Sequence, residues 1–256
     1  MTAVLAGVGI DAERIERFAR LAAGAPRWRH VFSPGEAEHL AAQPRADIAF
    51  CAAFCCKEAL LKALGERYPF TECECRFQPG SVEPGIALST ALQERFALTG
   101  ARVRFHGRFP DERGECVVEA HLLRGWNGAG GTPGSPPAAG ATTLSRLETL
   151  AIADVDAERD AIVARDFSPA EIADLGRRRV QSLAGSLALK RALIALWGEA
   201  GFAPVAPREI EIAHRPSGAP HVAAMPPGLP GALVSIAHTR TWAYGLAVLP
   251  PPGDCR

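Results

Sequence analysis

The chain has 256 residues with 28 basic and 28 acidic side chains, so its formal net charge is +0. This balance argues against bulk attraction to nucleic acid or to a membrane surface, and no apolar run approaches the length of a membrane span. Residues 1–9 have no basic flank and are too short for a signal-peptide core, so a cytoplasmic location is expected.

The predicted elements of the first half are, in order, a strand ending at Asp11, a helix start at residues 32–36, an apolar helix at 49–64, a half-buried strand at 72–75 and a closing strand at 116–123. The helix start rests on Ser33 at the N-cap, Pro34 at the first helical position and Glu36 completing a capping box. The strand at 72–75 rests on alternation of Glu and Cys.

Residues 124–143 are dominated by Gly, Pro, Ser, Thr and Ala and show no apolar periodicity. They predict a flexible linker. We therefore expect a first domain at 1–125, the linker at 126–143 and a second domain at 144–256.

The second half repeats the first in the same order. The matches are residues 9–14 with 154–159, 32–36 with 167–171, 57–60 with 190–193, 72–75 with 209–212, and the closing strands 116–123 and 243–249. Residues 182–197 predict the second apolar helix, and a strand ends at Asp156. The repeat predicts an α+β fold in which each unit packs a helix on a small antiparallel sheet, the two units forming a pseudo-dimer.

The seven cysteines are odd in number and contain no C-x-x-C pair, so neither a disulfide framework nor a zinc site is indicated. Cys73 and Cys75 match Ile210 and Ile212 of the second half. We interpret them as core-facing residues rather than ligands.

Acidic residues and a lysine form the first candidate site. Asp11 and Glu13 are two apart on a strand, and Glu58 and Lys62 four apart on a helix, so each pair shares a face. Converging carboxylates suit magnesium, and a neighbouring lysine suits a phosphate. A solvated strand end and a surface ion pair explain the same spacings, although the apolar residues 49–56 indicate that the helix start is buried.

The second half offers a different polar set. Residues 214–220 form a turn with His214, Arg215, Ser217 and Gly218, suited to anionic groups. The strand at 234–239 ends in Ser235, His238 and Thr239. For His238 alone, an alternative remains: a histidine buried in the core with its ring nitrogens hydrogen-bonded.

Together these motifs resemble the 4'-phosphopantetheinyl transferase superfamily. Residues 9–13 are similar to its Gly-Ile-Asp-x-Glu motif, residues 54–62 to its aromatic-x-x-Lys-Glu-Ala-x-x-Lys motif, residues 235–239 to Ser-x-Ser-His-Thr, and residues 215–220 to its turn with Gly-Lys-Pro. The resemblance spans both halves apart from the linker. The chain resembles the members of this family that consist of two fused repeats, which implies a monomer with one site between the halves.

The resemblance implies transfer of phosphopantetheine from coenzyme A to a serine of an acyl or peptidyl carrier protein, as in fatty-acid, polyketide or peptide synthesis. The implied metal ligands for Mg2+ are Asp11, Glu58 and Glu13. Glu58 would help to deprotonate the carrier serine, and Lys62 would stabilise or protonate the departing 3',5'-ADP. The implied coenzyme A contacts are Lys57, Arg215, Ser217, Gly218, Ser235, His238 and Thr239.

The two halves differ from the family and from each other. Ala219 and Ala237 replace the motif lysine and the second motif serine, which leaves open a non-catalytic pseudoenzyme that only binds carrier proteins. Each half also lacks what the other keeps. The positions of Glu58 and Lys62 are occupied in the second half by Arg191 and Ala195, and the position of Arg215 is occupied in the first half by Gln78. A single composite site explains this complementary loss.

Overall fold

A computed structural model of the protein describes residues 4–19, 28–77, 84–96, 98, 101–108, 111, 113–124, 143–175 and 180–250. The elements of the first half are β1 Val4–Arg14, α1 Pro34–Ala41, α2 Ala46–Leu64, β2 Cys73–Phe77, β3 Pro84–Leu88, α3 Thr90–Arg95, β4 Arg102–Arg108 and β5 Glu115–Arg124. The elements of the second half are β6 Leu144–Ala151, α4 Ile152–Ala157, α5 Arg159–Asp166, α6 Pro169–Leu175, α7 Val180–Glu199, β7 Glu211–His214, β8 Pro220–Ala224, β9 Leu233–His238 and β10 Trp242–Leu249.

Two antiparallel sheets have the same strand order. The first is β1-β5-β4 and the second is β6-β10-β9, so in each half the first strand pairs with the last, which pairs with the one before it. The hairpins β2-β3 and β7-β8 stand beside them. The α+β class predicted from the sequence is confirmed, with a long helix and a small antiparallel sheet in each unit.

The two sheets pack face to face, with α2 and α7 on the outside. Helix α2 covers β1 and β5, and α7 covers β10 and β6. The inner layer is apolar and is shared by both halves, with Leu5, Val8, Ile10, Ala12 and Val117 from the first and Ala237, Tyr244, Leu246 and Val248 from the second. The edge strands β1 and β9 are neighbours, because the Ile10 amide donates to Ser235 Oγ at 3.1 Å.

Both predicted helix starts are confirmed. Ser33 Oγ accepts from the Glu36 amide at 3.2 Å, and Ser168 Oγ accepts from the Glu171 amide at 3.2 Å. Glu171 also closes its capping box on the Ser168 amide at 2.9 Å. Cys73 and Cys75 are fully buried, which confirms them as core residues.

The expected strand end at Asp156 is wrong, because Asp156 lies in α4. The strand that occupies the place of β1 in the second sheet is β6, so residues 154–159 do not correspond to residues 9–14. Ile152 and Val155 are three apart and both buried, as on one face of a helix, and Asp154 in the first turn favours the helix N-terminus. The predicted linker at 126–143 falls almost entirely outside the described residues.

Glycines bring β1 against α2. An added Cβ at Gly7 would lie 2.1 Å from the Ala63 carbonyl oxygen, and one at Gly9 would lie 1.9 Å from the Ala59 carbonyl oxygen. No side chain fits at such distances from helix backbone. Because strand side chains alternate, Asp11 and Glu13 project from the same face of β1 as these glycines.

Gly9→Ala should therefore force α2 away from β1 and lower the free energy of unfolding by about 1–3 kcal/mol, which urea unfolding would measure. Gly198→Ala is the matched control, since Gly198 lies in α7 with nothing within 4 Å of an added Cβ. That control should be neutral or more stable by up to about 1 kcal/mol. Equal stability of the two variants would contradict the close approach of strand and helix.

Among the described residues, no helix has the length and apolar character that crossing a bilayer requires.

Candidate active site

A cleft of about 1070 Å³ opens between the two halves and takes wall residues from both. From the first half these include Asp11, Glu13, Arg17, Phe54, Glu58, Lys62, Glu66, Arg67 and Arg95; from the second they include Ser182, His214, Ser217, Gly218, Ser235, Ala237 and His238. The structure thus brings together eight of the eleven residues predicted for the site: Asp11, Glu13, Glu58, Lys62, Ser217, Gly218, Ser235 and His238.

Asp11 is held by the close packing of β1 on α2. Lys62 Nζ donates to Asp11 Oδ1 at 2.9 Å and to the Ile10 carbonyl oxygen at 2.7 Å. The ammonium is partly exposed to the cleft. Lys62 therefore balances the charge of Asp11 while keeping one side open to an incoming anion.

Glu58 lies on α2 one turn before Lys62 and is half-buried. No described residue donates a hydrogen bond to its carboxylate or forms an ion pair with it. Burial raises the pKa of Glu58, and the negative charge of Asp11 raises it further, against the opposing effect of Lys62. A half-buried carboxylate without a direct partner is costly for the fold and available to a proton or a cation.

Glu13 is engaged elsewhere. Its Oε1 accepts from the Arg14 amide at 3.0 Å, and its Oε2 is paired with Arg17. The described part of the chain contains no group of three or more His, Cys, Asp or Glu residues arranged to hold a metal ion. The expected convergence of three carboxylates is therefore not formed; Asp11 and Glu58 remain, with oxygen donors of the kind that magnesium takes.

Arg17 was not predicted as a site residue, although it follows Glu13 by four positions in the sequence. Its guanidinium carbon stands 5.3 Å from the centroid of the Phe54 ring and 5.5 Å from that of Trp28. These distances are within cation–π range. The aromatic position of the motif at residues 54–62 thus supports a cation at the cleft wall.

The second half supplies a turn and a strand end. Gly218 has a φ of 87°, which favours glycine, and its amide donates to the Arg215 carbonyl oxygen at 2.8 Å. The Arg215 amide donates to the Ala219 carbonyl oxygen at 2.9 Å, closing the turn. The exposed His238 ends β9 across the cleft from α2, so the core-histidine alternative is wrong.

Lys57 requires a correction. It is fully buried, and its Nζ donates to Glu36 Oε2 at 2.8 Å, to the Phe70 carbonyl oxygen at 2.7 Å and to the Cys73 carbonyl oxygen. The second half has the same arrangement, since buried Lys190 donates to Glu171 at 2.6 Å. Lys57 therefore supports the fold and does not reach the cleft.

Two other predicted contacts also lie off the wall. Thr239 is buried, and its Oγ1 accepts from the amides of Thr241 and Trp242 at 3.2 and 3.1 Å. Arg215 is exposed beside the turn but is not among the wall residues. Ser235 is at the wall, yet its Oγ is occupied by the Ile10 amide, so it joins the halves.

Residues 7–100 match the sequence profile of the 4'-phosphopantetheinyl transferase superfamily, which confirms the resemblance for the part of the chain that holds the motifs at 9–13 and 54–62. No curated protein matches the chain. Among solved structures, the holo-ACP synthase of Plasmodium yoelii is similar at 18% identity over 49% of this chain and 99% of its own, with a TM-score of 0.40. That of Neisseria meningitidis is similar at 20% identity over 46% and 98%, with a TM-score of 0.40. That of Bacillus anthracis, in complex with CoA (3',5'-ADP), is similar at 19% identity over 48% and 100%, with a TM-score of 0.38.

Proposed function

We propose that the protein is a magnesium-dependent 4'-phosphopantetheinyl transferase, built from two fused repeats, that moves phosphopantetheine from coenzyme A to a serine of an acyl or peptidyl carrier protein. The observation that carries the proposal is that one cleft collects residues of four separate motifs: Asp11, Glu58 with Lys62, Ser217 with Gly218, and His238. Binding sites between domains are common, and polar groups converging there favour an active site.

The donor set fits magnesium. Glu58 is a half-buried carboxylate with no hydrogen bond among the described residues, and Asp11 adds a second negative charge close enough to raise the pKa of Glu58. Asp11 and Glu58 would hold the ion, leaving positions for phosphate oxygens. When bound, magnesium would neutralise the pyrophosphate of coenzyme A.

Glu58 also suits the role of general base. A base works best when its pKa lies near the operating pH, and without a bound cation burial raises the pKa of Glu58 above its ordinary value. In the proposed step the hydroxyl oxygen of the carrier serine attacks the phosphorus that carries pantetheine, and its proton passes to Glu58 directly or through water. The bond from that phosphorus to the oxygen of 3',5'-ADP breaks.

Lys62 is placed for the departing group. Its ammonium already neutralises Asp11 at the cleft wall and would stabilise or protonate the phosphate that leaves with 3',5'-ADP. His238 and the turn at Ser217 and Gly218 would hold the remaining phosphates from the opposite wall. Positioning and charge neutralisation supply most of the catalysis in phosphoryl transfer.

Intact-mass analysis tests the proposal. Candidate apo carrier proteins are incubated with the protein, coenzyme A and magnesium, and the expected result is a carrier mass increased by one phosphopantetheine. A carrier that binds the protein but gains no mass under these conditions contradicts the transferase and favours the carrier-binding pseudoenzyme. Omission of magnesium, with a chelator present, should abolish the gain.

A further inference from the structure

A buried carboxylate of the first half holds the turn that follows the cleft strand of the second half. Glu115 begins β5 and is only 2% exposed. Its Oε1 accepts from the Thr241 hydroxyl at 3.3 Å, and its Oε2 accepts from the Tyr244 hydroxyl. Both donors belong to the other half of the chain.

The contact passes through the turn to the end of β9. Thr241 Oγ1 lies 3.3 Å from Thr239 Oγ1, which also accepts from the amides of Thr241 and Trp242. Thr239 directly follows His238 at the cleft wall. The turn between β9 and β10 is thus fixed to Glu115 through side-chain hydroxyls.

The backbone at Glu115 is itself fixed by its own half. Asp111 Oδ1 accepts from the amides of Arg113 and Glu115, each at 2.9 Å. The guanidinium carbon of Arg113 stands 4.2 Å from the centroid of the Trp242 ring, so a cation–π contact joins the same two segments. In the strand register Glu115 pairs with Arg14 of β1, three residues after Asp11.

We propose that Glu115 is a positioning residue. It locks the turn after β9 to the strand carrying Asp11, and so sets the distance between His238 and the carboxylates of Asp11 and Glu58. This inference rests on the proposed function. Apart from the bond of the Ile10 amide to Ser235 Oγ, the rest of the inner layer is apolar and defines the orientation of the sheets less sharply than directed bonds do. Because His238 would hold a phosphate of coenzyme A, a small misplacement of its ring should weaken coenzyme A binding more than the chemical step.

The Tyr244 hydroxyl keeps the proton that it donates to Glu115. Burial raises the pKa of Tyr244, and the neighbouring Glu115 carboxylate raises it further, so the phenol remains a donor across the neutral range. Removing Glu115 leaves the Tyr244 hydroxyl buried without this acceptor, and removing the Tyr244 hydroxyl leaves Glu115 Oε2 without this donor; either loss is more costly than never forming the pair.

The experiment compares four variants of the full chain. Glu115→Ala removes both hydroxyl bonds between the halves and Tyr244→Phe removes one of them, whereas Glu115→Gln keeps an acceptor oxygen for the Tyr244 hydroxyl. Tyr68→Phe is the matched control, because it also removes one buried hydroxyl bond, to the Lys57 carbonyl oxygen at 2.8 Å, but within the first half. Hydrogen exchange of residues 238–243 and the coenzyme A KM and kcat are measured for each.

In Glu115→Ala and Tyr244→Phe we expect exchange at residues 238–243 and the KM for coenzyme A to rise about tenfold, with a smaller change in kcat. Glu115→Gln should restore most of both values, and Tyr68→Phe should leave exchange at 238–243 unchanged. Unchanged exchange in the first two variants, or raised exchange with an unchanged KM, overturns the positioning role alone. A wild-type protein that neither binds coenzyme A nor transfers phosphopantetheine overturns the proposed function, and the positioning role with it.

Discussion

Glu58→Gln should lose phosphopantetheine transfer by about 10²–10⁴-fold and should nevertheless unfold at a higher temperature than the wild type. The loss follows because the neutral amide cannot accept the serine proton and is a weaker magnesium ligand than a carboxylate. The gain follows because Glu58 is a half-buried carboxylate with no direct partner among the described residues. Active-site groups of this kind often reduce stability in exchange for function.

The gain in stability should depend on pH. The pKa of Glu58 is raised in the fold above its ordinary value of 4.5 by burial and by Asp11. Between that ordinary value and the raised one the folded state binds more protons than the unfolded state, so wild-type stability falls as the pH rises through this window. Glu58→Gln removes this fall, and the two proteins should therefore converge in stability at pH values below 4.5.

Thermal unfolding at several pH values and initial rates of transfer measure the two effects. Asp11→Asn should also lose transfer but should not be stabilised, because Asp11 is paired with Lys62 at 2.9 Å. Glu94→Gln on the exposed face of α3 makes the same chemical change away from the cleft and should alter neither quantity. Near-normal transfer by Glu58→Gln would remove Glu58 from the chemistry.

Periodicity and capping predicted the elements of the fold well, but the match of residues 9–14 with 154–159 failed. The physical difference was present in the sequence. Gly9 allows β1 to touch α2, and Asp154 offers no such approach. The second half places its glycine on another strand, since an added Cβ at Gly245 of β10 would lie 2.2 Å from the Leu189 amide of α7.

The site residues also divide into those that a local sequence pattern predicted and those that it did not. Glu58 and Lys62 share a helix face and reach the cleft, whereas Lys57 is rotated about 100° from Glu58 and enters the core. Because Lys57 recurs as Lys190 while Glu58 and Lys62 do not recur, the repeat itself favoured a structural lysine. The partner Glu36 and the carboxylate of Glu115 depend on tertiary contacts, for which no local pattern exists.

Cutting the chain between its halves should preserve transfer only while the halves remain associated. A protease site placed within residues 128–141 allows the folded protein to be cleaved. The nicked protein should stay together, because Val8 and Ile10 pack in one apolar layer with Tyr244 and Leu246, and because the Ile10 amide bonds Ser235 across the junction. Its activity should remain close to that of the uncut chain.

Separation of the nicked halves in urea, followed by removal of the urea from each half alone, should abolish transfer in both. Residues up to 125 keep Asp11, Glu58 and Lys62 but lose the wall with His238; residues from 144 keep that wall but lose both carboxylates. Recombination of the two fractions should restore part of the activity, since the buried layer between the sheets is complementary. A first half that transfers phosphopantetheine alone at the wild-type rate would place the whole site within residues 1–125 and contradict the composite cleft.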